Sequence, residues 1–336
     1  MTASSAQTAR TSVDDYLGPS DRRFFGRGFR RVHYDLGEVH ISRRGDGAVQ
    51  ALTSVGVEYP ADWSKKATGT NLRPHFSTID GLIVAAQLAE ACLTGPGTDL
   101  RDAWLRKVRL TAGSSPQEDL DRLAARATLR RTDTVAGSPA RALSVVDCAI
   151  GTMRVRCEVE HAQVTAAPLE QTRGGLDALL GAPADRYFGT GFTTRRQLIR
   201  DVAVNQAQLR ATAKLTAASD NGALVPTAGL EGAYQPSLSM VDAFVTALQL
   251  AQIMLYDLDG MRRQDSNTLW MRQTTITASR PDRPWQGVPV TTHLVDPDLL
   301  RMSGGTWRTL DVIAELAGLR VRSAVAHRLP EGHVAI

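Results

Sequence analysis

Two short motifs in this 336-residue sequence place residues capable of acid–base chemistry at the start of strongly apolar segments. His75 comes two residues before Ser77, and Asp80 follows in a Ser-x-x-Asp motif that recurs at Ser239 and Asp242. Histidine titrates near neutral pH and can act as a general base. Free N–H groups at a helix start can stabilise the oxyanion formed from an acyl carbonyl. We therefore predict His75, Asp80 and Asp242 as candidate catalytic residues.

Polar side chains near these motifs are candidates for binding the substrate. Gln87 and Gln249 each lie seven residues after an aspartate of the motif, two turns deeper on the same helix face, where they could bond a carbonyl or one another. Buried glutamines often only satisfy each other, and exposed basic residues are usually only solvated. The predicted substrate-binding residues are Asp62, Trp63, Lys65, Arg73, Ser77, Gln87 and Gln249.

Several classes of protein are disfavoured by what the sequence lacks. It contains no GxSxG, HExxH or P-loop motif, and its three cysteines, Cys92, Cys148 and Cys157, form no CxxC pair. We predict no metal site and no bound cofactor. The net charge of +4 comes from interspersed charges, which is weak support for nucleic-acid binding. The sequence also lacks an apolar run long enough for a bilayer or a signal peptide, so we expect a cytoplasmic protein, monomeric or homodimeric, without a membrane partner.

The elements that position these residues occur twice, because the chain repeats itself at a spacing of about 163 residues. Residues 17–29 match residues 180–192 at seven of 13 positions, and residues 74–93 match residues 236–255 at eight of 20. The Arg-Val-Arg sequence at 154–156 recurs at 320–322. Three blocks in the same order indicate two copies of one domain, predicted at residues 13–165 and 176–330.

Each copy is predicted to contain one long helix that is buried almost all round, residues 77–93 and 239–256, with serine as its N-cap. Two strands are expected before each helix and three after it. This order predicts an α+β tandem double hotdog, in which each antiparallel sheet wraps around one central helix. The predicted strands are residues 36–41, 49–57, 105–110, 124–131, 151–164, 200–204, 208–217, 269–278, 288–294 and 319–325.

The two copies differ where the chemistry is expected. The second copy has Ser237 at the position of His75, and its segment 222–232 is bland where the first copy has the polar and aromatic segment 59–66. This difference favours a single working site. The aspartates occur in both copies, so they are also explained by helix capping alone.

Three segments together resemble the avirulence protein D (AvrD) family of bacteria. They are Asp15-Tyr-Leu-Gly-Pro with Arg23-Phe-Phe-Gly-Arg-Gly-Phe, then Tyr59-Pro-Ala-Asp-Trp-Ser-Lys, then Pro74-His-Phe-Ser-Thr-Ile-Asp. The resemblance implies synthesis of syringolides, which are acyl glycosides made from a β-ketoacyl thioester and a pentulose such as xylulose. It also implies a functional likeness to the A-factor synthase (AfsA-type) proteins, which transfer a β-ketoacyl group on the route to γ-butyrolactone signals.

The implied reaction transfers a β-ketoacyl group from a phosphopantetheine thioester, on acyl carrier protein or coenzyme A, to a sugar-like hydroxyl. Condensation to a butenolide or butyrolactone would follow. In this scheme His75 takes the proton of the acceptor hydroxyl, while Asp62, Lys65 and Arg73 bind the polyol. Two alternatives stay open. One is a double-hotdog dehydratase or thioesterase that uses His75 and Asp242 as its acid–base pair, and the other is a non-catalytic protein that holds an acyl or lactone ligand.

Overall fold

The computed structural model describes residues 12–330 except for 44–47, 64–72, 96–98, 164–170, 264–265, 267–268 and 303–304. The α-helices are α1 (Asp14–Leu17), α2 (Thr78–Leu93), α3 (Leu176–Leu180) and α4 (Met240–Leu258). Short 3₁₀ helices cover Ser20–Arg22, Gly28–Arg31, Pro183–Asp185, Gly191–Thr194, Gln206–Gln208, Asp220–Gly222 and Gly232–Tyr234. The strands of the N-terminal half and its linker are β1 (His33–Leu36), β2 (Val39–Arg43), β3 (Val49–Glu58), β4 (Trp104–Thr111), β5 (Leu123–Val135), β6 (Ser138–Ile150), β7 (Met153–Ala162) and β8 (Gln171–Gly174). The remaining strands are β9 (Arg195–Asn205), β10 (Arg210–Ser219), β11 (Leu269–Ala278), β12 (Val288–Met302), β13 (Gly305–Leu316) and β14 (Leu319–Arg328).

All strands pair antiparallel in one 14-stranded sheet, in the order β8-β2-β3-β5-β6-β7-β4-β11-β14-β13-β12-β10-β9, with β1 also paired to β3. The order is symmetric about the β4–β11 pair, where Leu110 lies opposite Thr274. The N-terminal half (residues 12–163) and the C-terminal half (residues 176–330) therefore join edge to edge. The predicted domain boundaries stay a prediction, since β8 lies between the halves and pairs with β2.

One central helix fills the concave side of the sheet in each half. Helix α2 packs on β3 to β7, and α4 packs on β9 to β14. Every residue of α2 from Thr78 to Cys92 is buried, as is nearly all of α4. Both helices begin with the predicted capping box, in which Ser77 and Ser239 are the N-caps. The architecture is a double hotdog, as the sequence predicts.

Helix α4 is also long and apolar enough, by length and composition, to cross a membrane, and 78% of that window is buried inside the fold. The core helix of a folded domain satisfies the same criteria, because burial all round requires apolar residues on every face.

The predicted number of strands was wrong. Within each half four strands follow the central helix rather than three, because β6 and β13 were missed, and β8 between the halves was missed as well. The predicted strand 36–41 is two strands, β1 and β2, separated at Gly37. The buried face of β6 includes Ser144, which hydrogen-bonds His161 at 2.8 Å, and that of β13 includes Arg308, which pairs with Asp259 at 2.7 Å. Polar residues on a buried face hide the alternation by which strands are recognised.

Candidate active site

The start of α2 holds a buried carboxylate within a cluster of hydroxyl donors. Asp80 is fully buried, and its Oδ1 accepts a hydrogen bond from the Tyr34 hydroxyl at 2.7 Å. Its Oδ2 accepts from the Tyr59 hydroxyl and from the Ser77 backbone N–H, the latter at 2.7 Å. Burial raises the pKa of Asp80, while the hydrogen bonds from Tyr59, Tyr34 and Ser77 oppose the rise. Both oxygens are thus engaged, which suits Asp80 to positioning its neighbours.

His75 is tied to this cluster through Tyr59 and Trp63. The Tyr59 hydroxyl also hydrogen-bonds the backbone carbonyl of His75 at 2.8 Å. The Trp63 ring lies edge-on to the rings of both Tyr59 and His75, at centroid distances of 5.5 and 6.0 Å. Burial lowers the pKa of His75, although the nearby charge of Asp80 opposes the effect. His75 is therefore a neutral imidazole at neutral pH, which is the form that accepts a proton.

Backbone donors lie beside His75. The capping box engages the N–H groups of Ser77 and Asp80, and the hydrogen bonds of the helix begin with Gly81 N–H to the Ser77 carbonyl at 3.0 Å. Within the described residues the N–H groups of Thr78 and Ile79 have no hydrogen-bond partner, and of these two residues Thr78 lines the adjoining cavity. A cavity of about 30 Å³ adjoins this point and is lined by residues of both halves, among them His75, Ser77, Thr78, Gly113, Trp270 and Met271.

The start of α4 has the same capping geometry and different surroundings. Asp242 is fully buried, and it accepts hydrogen bonds from the Ser239 N–H at 2.9 Å and from Gln197 Nε2 at 2.8 Å. Gln197 occupies the position that Tyr34 has in the other half. The buried Arg195 guanidinium lies 3.9 Å from the Asp242 carboxylate. None of these contacts of Asp242 involves His75, so the structure puts the two proposed members of the dehydratase pair in separate networks.

Ser237, the counterpart of His75, is sealed into the protein. It is 2% exposed, its hydroxyl donates to the Pro281 carbonyl at 2.7 Å, and it accepts from the Arg283 N–H at 2.8 Å. Arg195 also donates to the Ser237 carbonyl, at 2.8 Å. The position of Ser237 is therefore filled by protein groups that satisfy its hydroxyl and its carbonyl.

The other predicted binding residues are dispersed. Asp62 forms an ion pair with Arg31 at 2.7 Å, and Arg73, whose side chain is 82% exposed, lies 3.7 Å from Glu118. Lys65 lies outside the described residues. Gln87 is buried in α2, and no hydrogen bond within the described part of the chain joins it to Gln249.

Gln249 instead takes part in an exchange of arginines, in which one arginine of each half contacts the central helix of the other half. Arg23 of the N-terminal half donates to Gln249 Oε1 on α4. Its repeat counterpart Arg186 reaches α2, where its guanidinium lies 3.6 Å from the Glu90 carboxylate. Sequence reasoning missed this exchange, although both arginines belong to the matched block of the repeat. It also left Tyr34 and Tyr59 out of the site.

Three solved structures are distant likenesses. A conserved protein of Mycobacterium tuberculosis described as a double hotdog fold shares 13% identity, covers 77% of this chain and 84% of its own, and has a TM-score of 0.42. The tesB protein of Mycobacterium avium subsp. paratuberculosis shares 9% identity over 85% and 95%, with a TM-score of 0.41. The dehydratase domain from the CurJ module of curacin polyketide synthase shares 12% identity over 84% and 92%, with a TM-score of 0.31.

The double-hotdog assignment itself rests on the sheet order and the two central helices. A search of curated proteins found no match to the sequence. The family is nevertheless defined, because residues 8–330 match the Pseudomonas avirulence D protein (AvrD) family. The chain belongs to this family, as the motifs at its first helix start indicate.

Proposed function

We propose that this chain is an enzyme that acts on acyl thioesters, and that it transfers a β-ketoacyl group to a hydroxyl of a sugar-like polyol such as xylulose. The product would lead to a syringolide, butenolide or γ-butyrolactone type of signal molecule. The observation that carries the proposal is the start of α2, where a partly buried neutral His75 adjoins available backbone N–H groups. Membership of the AvrD family supports the substrate class.

The reaction uses these groups in one sequence. His75 accepts the proton of the acceptor hydroxyl as its oxygen attacks the thioester carbonyl carbon. The N–H group of Thr78, at the positive end of the helix dipole, holds the tetrahedral oxyanion. Collapse of this intermediate breaks the carbon–sulfur bond, and the imidazolium of His75 returns the proton to the departing thiolate. Asp80 keeps Tyr59 in place, and Tyr59 holds the backbone of His75.

The substrate-binding residues belong to the same proposal. Trp63, whose ring packs edge-on against that of His75, contacts the substrate in this scheme. Asp62, Lys65 and Arg73 bind the polyol, with Asp62 exchanging its surface contact to Arg31 for hydroxyl groups. Gln87 and Gln249 lie deeper along the helices. The thioester, on coenzyme A or acyl carrier protein, is a substrate, and no bound cofactor takes part.

The test is product analysis by mass spectrometry with a β-ketoacyl thioester, with and without xylulose. An acceptor-dependent ester or butenolide is expected from the wild-type chain. We expect His75→Gln to lower kcat by about 10²–10⁴-fold, which is the usual contribution of a general base. Ser237→Ala, at the counterpart position, is the matched control and should keep full activity. Equal activity of His75→Gln and the control would refute the role of His75.

The pH profile gives an independent readout of the same residue. Burial lowers the pKa of His75 below its ordinary value of 6.5, and a general base works only when deprotonated. The midpoint of the fall in activity, as His75 becomes protonated, should therefore lie below pH 6.5. A decline centred above pH 6.5 would contradict this assignment.

A dehydratase or thioesterase is the second candidate function. It is favoured by one observation, that a neutral imidazole and a carboxyl with a raised pKa adjoin the same helix start. Such a pair can exchange protons with a thioester substrate without any acceptor. Loss of water or release of free acid in the absence of xylulose would support this candidate over acyl transfer. Tight binding of the thioester without turnover would support the non-catalytic protein that holds an acyl or lactone ligand.

A further inference from the structure

A second cavity lies at the junction of the halves, away from His75. It has a volume of about 230 Å³. Residues 12–27 bound it on one side, and the first residues of strand β9 and one side of α4 bound it on the other. Four arginines line it together with two glutamines, which are Arg23, Arg27, Arg196, Arg200, Gln197 and Gln249.

Two polar side chains of this lining are incompletely satisfied. Arg23 is only 4% exposed, and while its terminal nitrogens bond Gln249 and Asp14, its Nε has no hydrogen-bond partner within the described residues. Burial lowers the pKa of Arg23, which reflects the cost of a charge held away from water. Gln197 donates to Asp242 and its Oε1 is also without a partner in that part of the chain, but this oxygen is an acceptor, so the free donor for an anion is the Arg23 Nε–H. Buried polar atoms without partners are uncommon.

The cavity also carries uncompensated positive charge. Arg23 pairs with Asp14, and Arg196 pairs with Asp220 at 2.6 Å. Arg27 and Arg200 form no ion pair with any residue that the structure describes. Four guanidiniums face the carboxylates of Asp14 and Asp220, and Asp220 also pairs with Arg30, so at least two positive charges are in surplus around a small concave space.

The equivalent place in the other half lacks this concentration of arginines. Arg186, the counterpart of Arg23, meets the carboxylate of Glu90, whereas Arg23 meets the neutral amide of Gln249. At the spacing of 163 residues that relates the matched blocks, the counterparts of the other three arginines are Thr190, His33 and Gly37. The folded repeat does not require arginines here, so their concentration at one of the two places needs another explanation.

We propose that this cavity binds the phosphoryl group of a small-molecule phosphate ester. Such a group carries a charge of about −1.5 to −2 and three terminal oxygens, which match the surplus of positive charge and several converging guanidiniums. A carboxylate, with one negative charge and two oxygens, engages a single guanidinium fork. Under the proposed function, the phosphoryl group belongs either to the polyol acceptor or to the carrier of the acyl group.

Isothermal titration calorimetry of the full chain tests the proposal with inorganic phosphate, glycerol 3-phosphate and coenzyme A. The variant is Arg27→Ala combined with Arg200→Ala. Neither arginine forms an ion pair with a described residue, so their removal should not destabilise the fold. The control is Arg101→Ala combined with Arg131→Ala, which removes the same charge from exposed pairs with acidic residues elsewhere. We expect a Kd of about 1 mM or tighter for at least one phosphate compound. It should rise at least tenfold in the variant and stay unchanged in the control.

The ligands distinguish the two sources. Variant-dependent binding of glycerol 3-phosphate assigns the cavity to a polyol phosphate, and variant-dependent binding of coenzyme A alone assigns it to the acyl carrier. The proposal is overturned if no phosphate compound binds, or if variant and control lose affinity equally. His75→Gln should bind phosphate as the wild type does, since His75 does not line the cavity. A chain that binds phosphate but transfers no acyl group would refute the proposed function alone.

Discussion

Tyr34→Phe should destabilise the fold in a way that reports the charge of Asp80. The Tyr34 hydroxyl, at 2.7 Å, is the single donor to Asp80 Oδ1 within the described residues, and Asp80 is fully buried. Phenylalanine keeps the ring and removes that donor. A hydrogen bond to a charged group contributes about 1.5–3 kcal/mol, and a buried acceptor without a donor cannot recover this from water. We expect a loss of that size in the free energy of unfolding near pH 8.

The loss should shrink as the pH falls. Burial raises the pKa of Asp80 above 3.8, so between 3.8 and that raised pKa the folded chain binds more protons than the unfolded chain. The free energy of unfolding contributed by Asp80 therefore falls as the pH rises through this window. Tyr34→Phe removes a donor that favours the charged carboxylate and so raises the pKa of Asp80 further, at about 1.4 kcal/mol per unit. The variant is thus penalised most where Asp80 is charged.

Urea unfolding followed by circular dichroism measures both effects when it is repeated at intervals from about pH 8 down to about pH 4. The control is Tyr234→Phe, which loses a hydrogen bond of 2.9 Å to the neutral backbone carbonyl of Asp102. The control should cost about 0.5–1.5 kcal/mol, and that cost should not depend on pH. If Tyr34→Phe costs no more than the control, or costs the same across this pH range, Asp80 is not a buried charge held by Tyr34.

Two further predictions concern buried groups elsewhere. Glu90→Gln leaves the buried Arg186 guanidinium, among the described residues, with only the more distant carboxylate of Asp177, at 3.9 Å, and urea unfolding at neutral pH should show a loss of up to about 3–5 kcal/mol. Glu118→Gln, in the exposed pair with Arg73, should cost at most about 1 kcal/mol, and equal costs would contradict the difference in burial. Burial raises the pKa of the Cys92 thiol to about 12, so it should resist a disulfide reagent at pH 8 until urea unfolds the chain. Rapid labelling of the native protein at Cys92 would show that the core opens readily.

Elements governed by local pattern could be predicted from the sequence. Both central helices and their capping boxes follow from residues within a few positions of one another, such as Ser77 and Asp80. Strand β6 could not be recognised, because Ser144 on its buried face is satisfied by His161, which is 17 residues away. Strand β13 was not recognised for the same reason, because its buried Arg308 pairs with Asp259, which is 49 residues away.

The candidate site was predictable only in part. His75, Ser77 and Asp80 lie within six consecutive positions, and their residue types suggest chemistry at once. The donors that hold Asp80 come from Tyr34 and Tyr59, which are 46 and 21 residues away along the chain. No periodicity reports such a contact, because it depends on how the sheet curls around the helix. The arginine cavity could not be predicted either, because it depends on contacts between distant parts of the sequence, such as that of Arg23 with Gln249, 226 residues away.

Fusing two hotdogs into one chain matters because it lets equivalent positions differ. In a homodimer with two-fold symmetry, every contact made by one subunit is repeated by the other, so both helix starts carry the same residues. Here His75 adjoins one helix start while Ser237 is sealed beside the other. The exchanged arginines differ in the same way, since Arg186 meets a carboxylate and Arg23 meets an amide. One shared scaffold can thus carry an imidazole at one helix start and an arginine-lined cavity between residues of both halves, an asymmetry that a two-fold symmetric dimer cannot have.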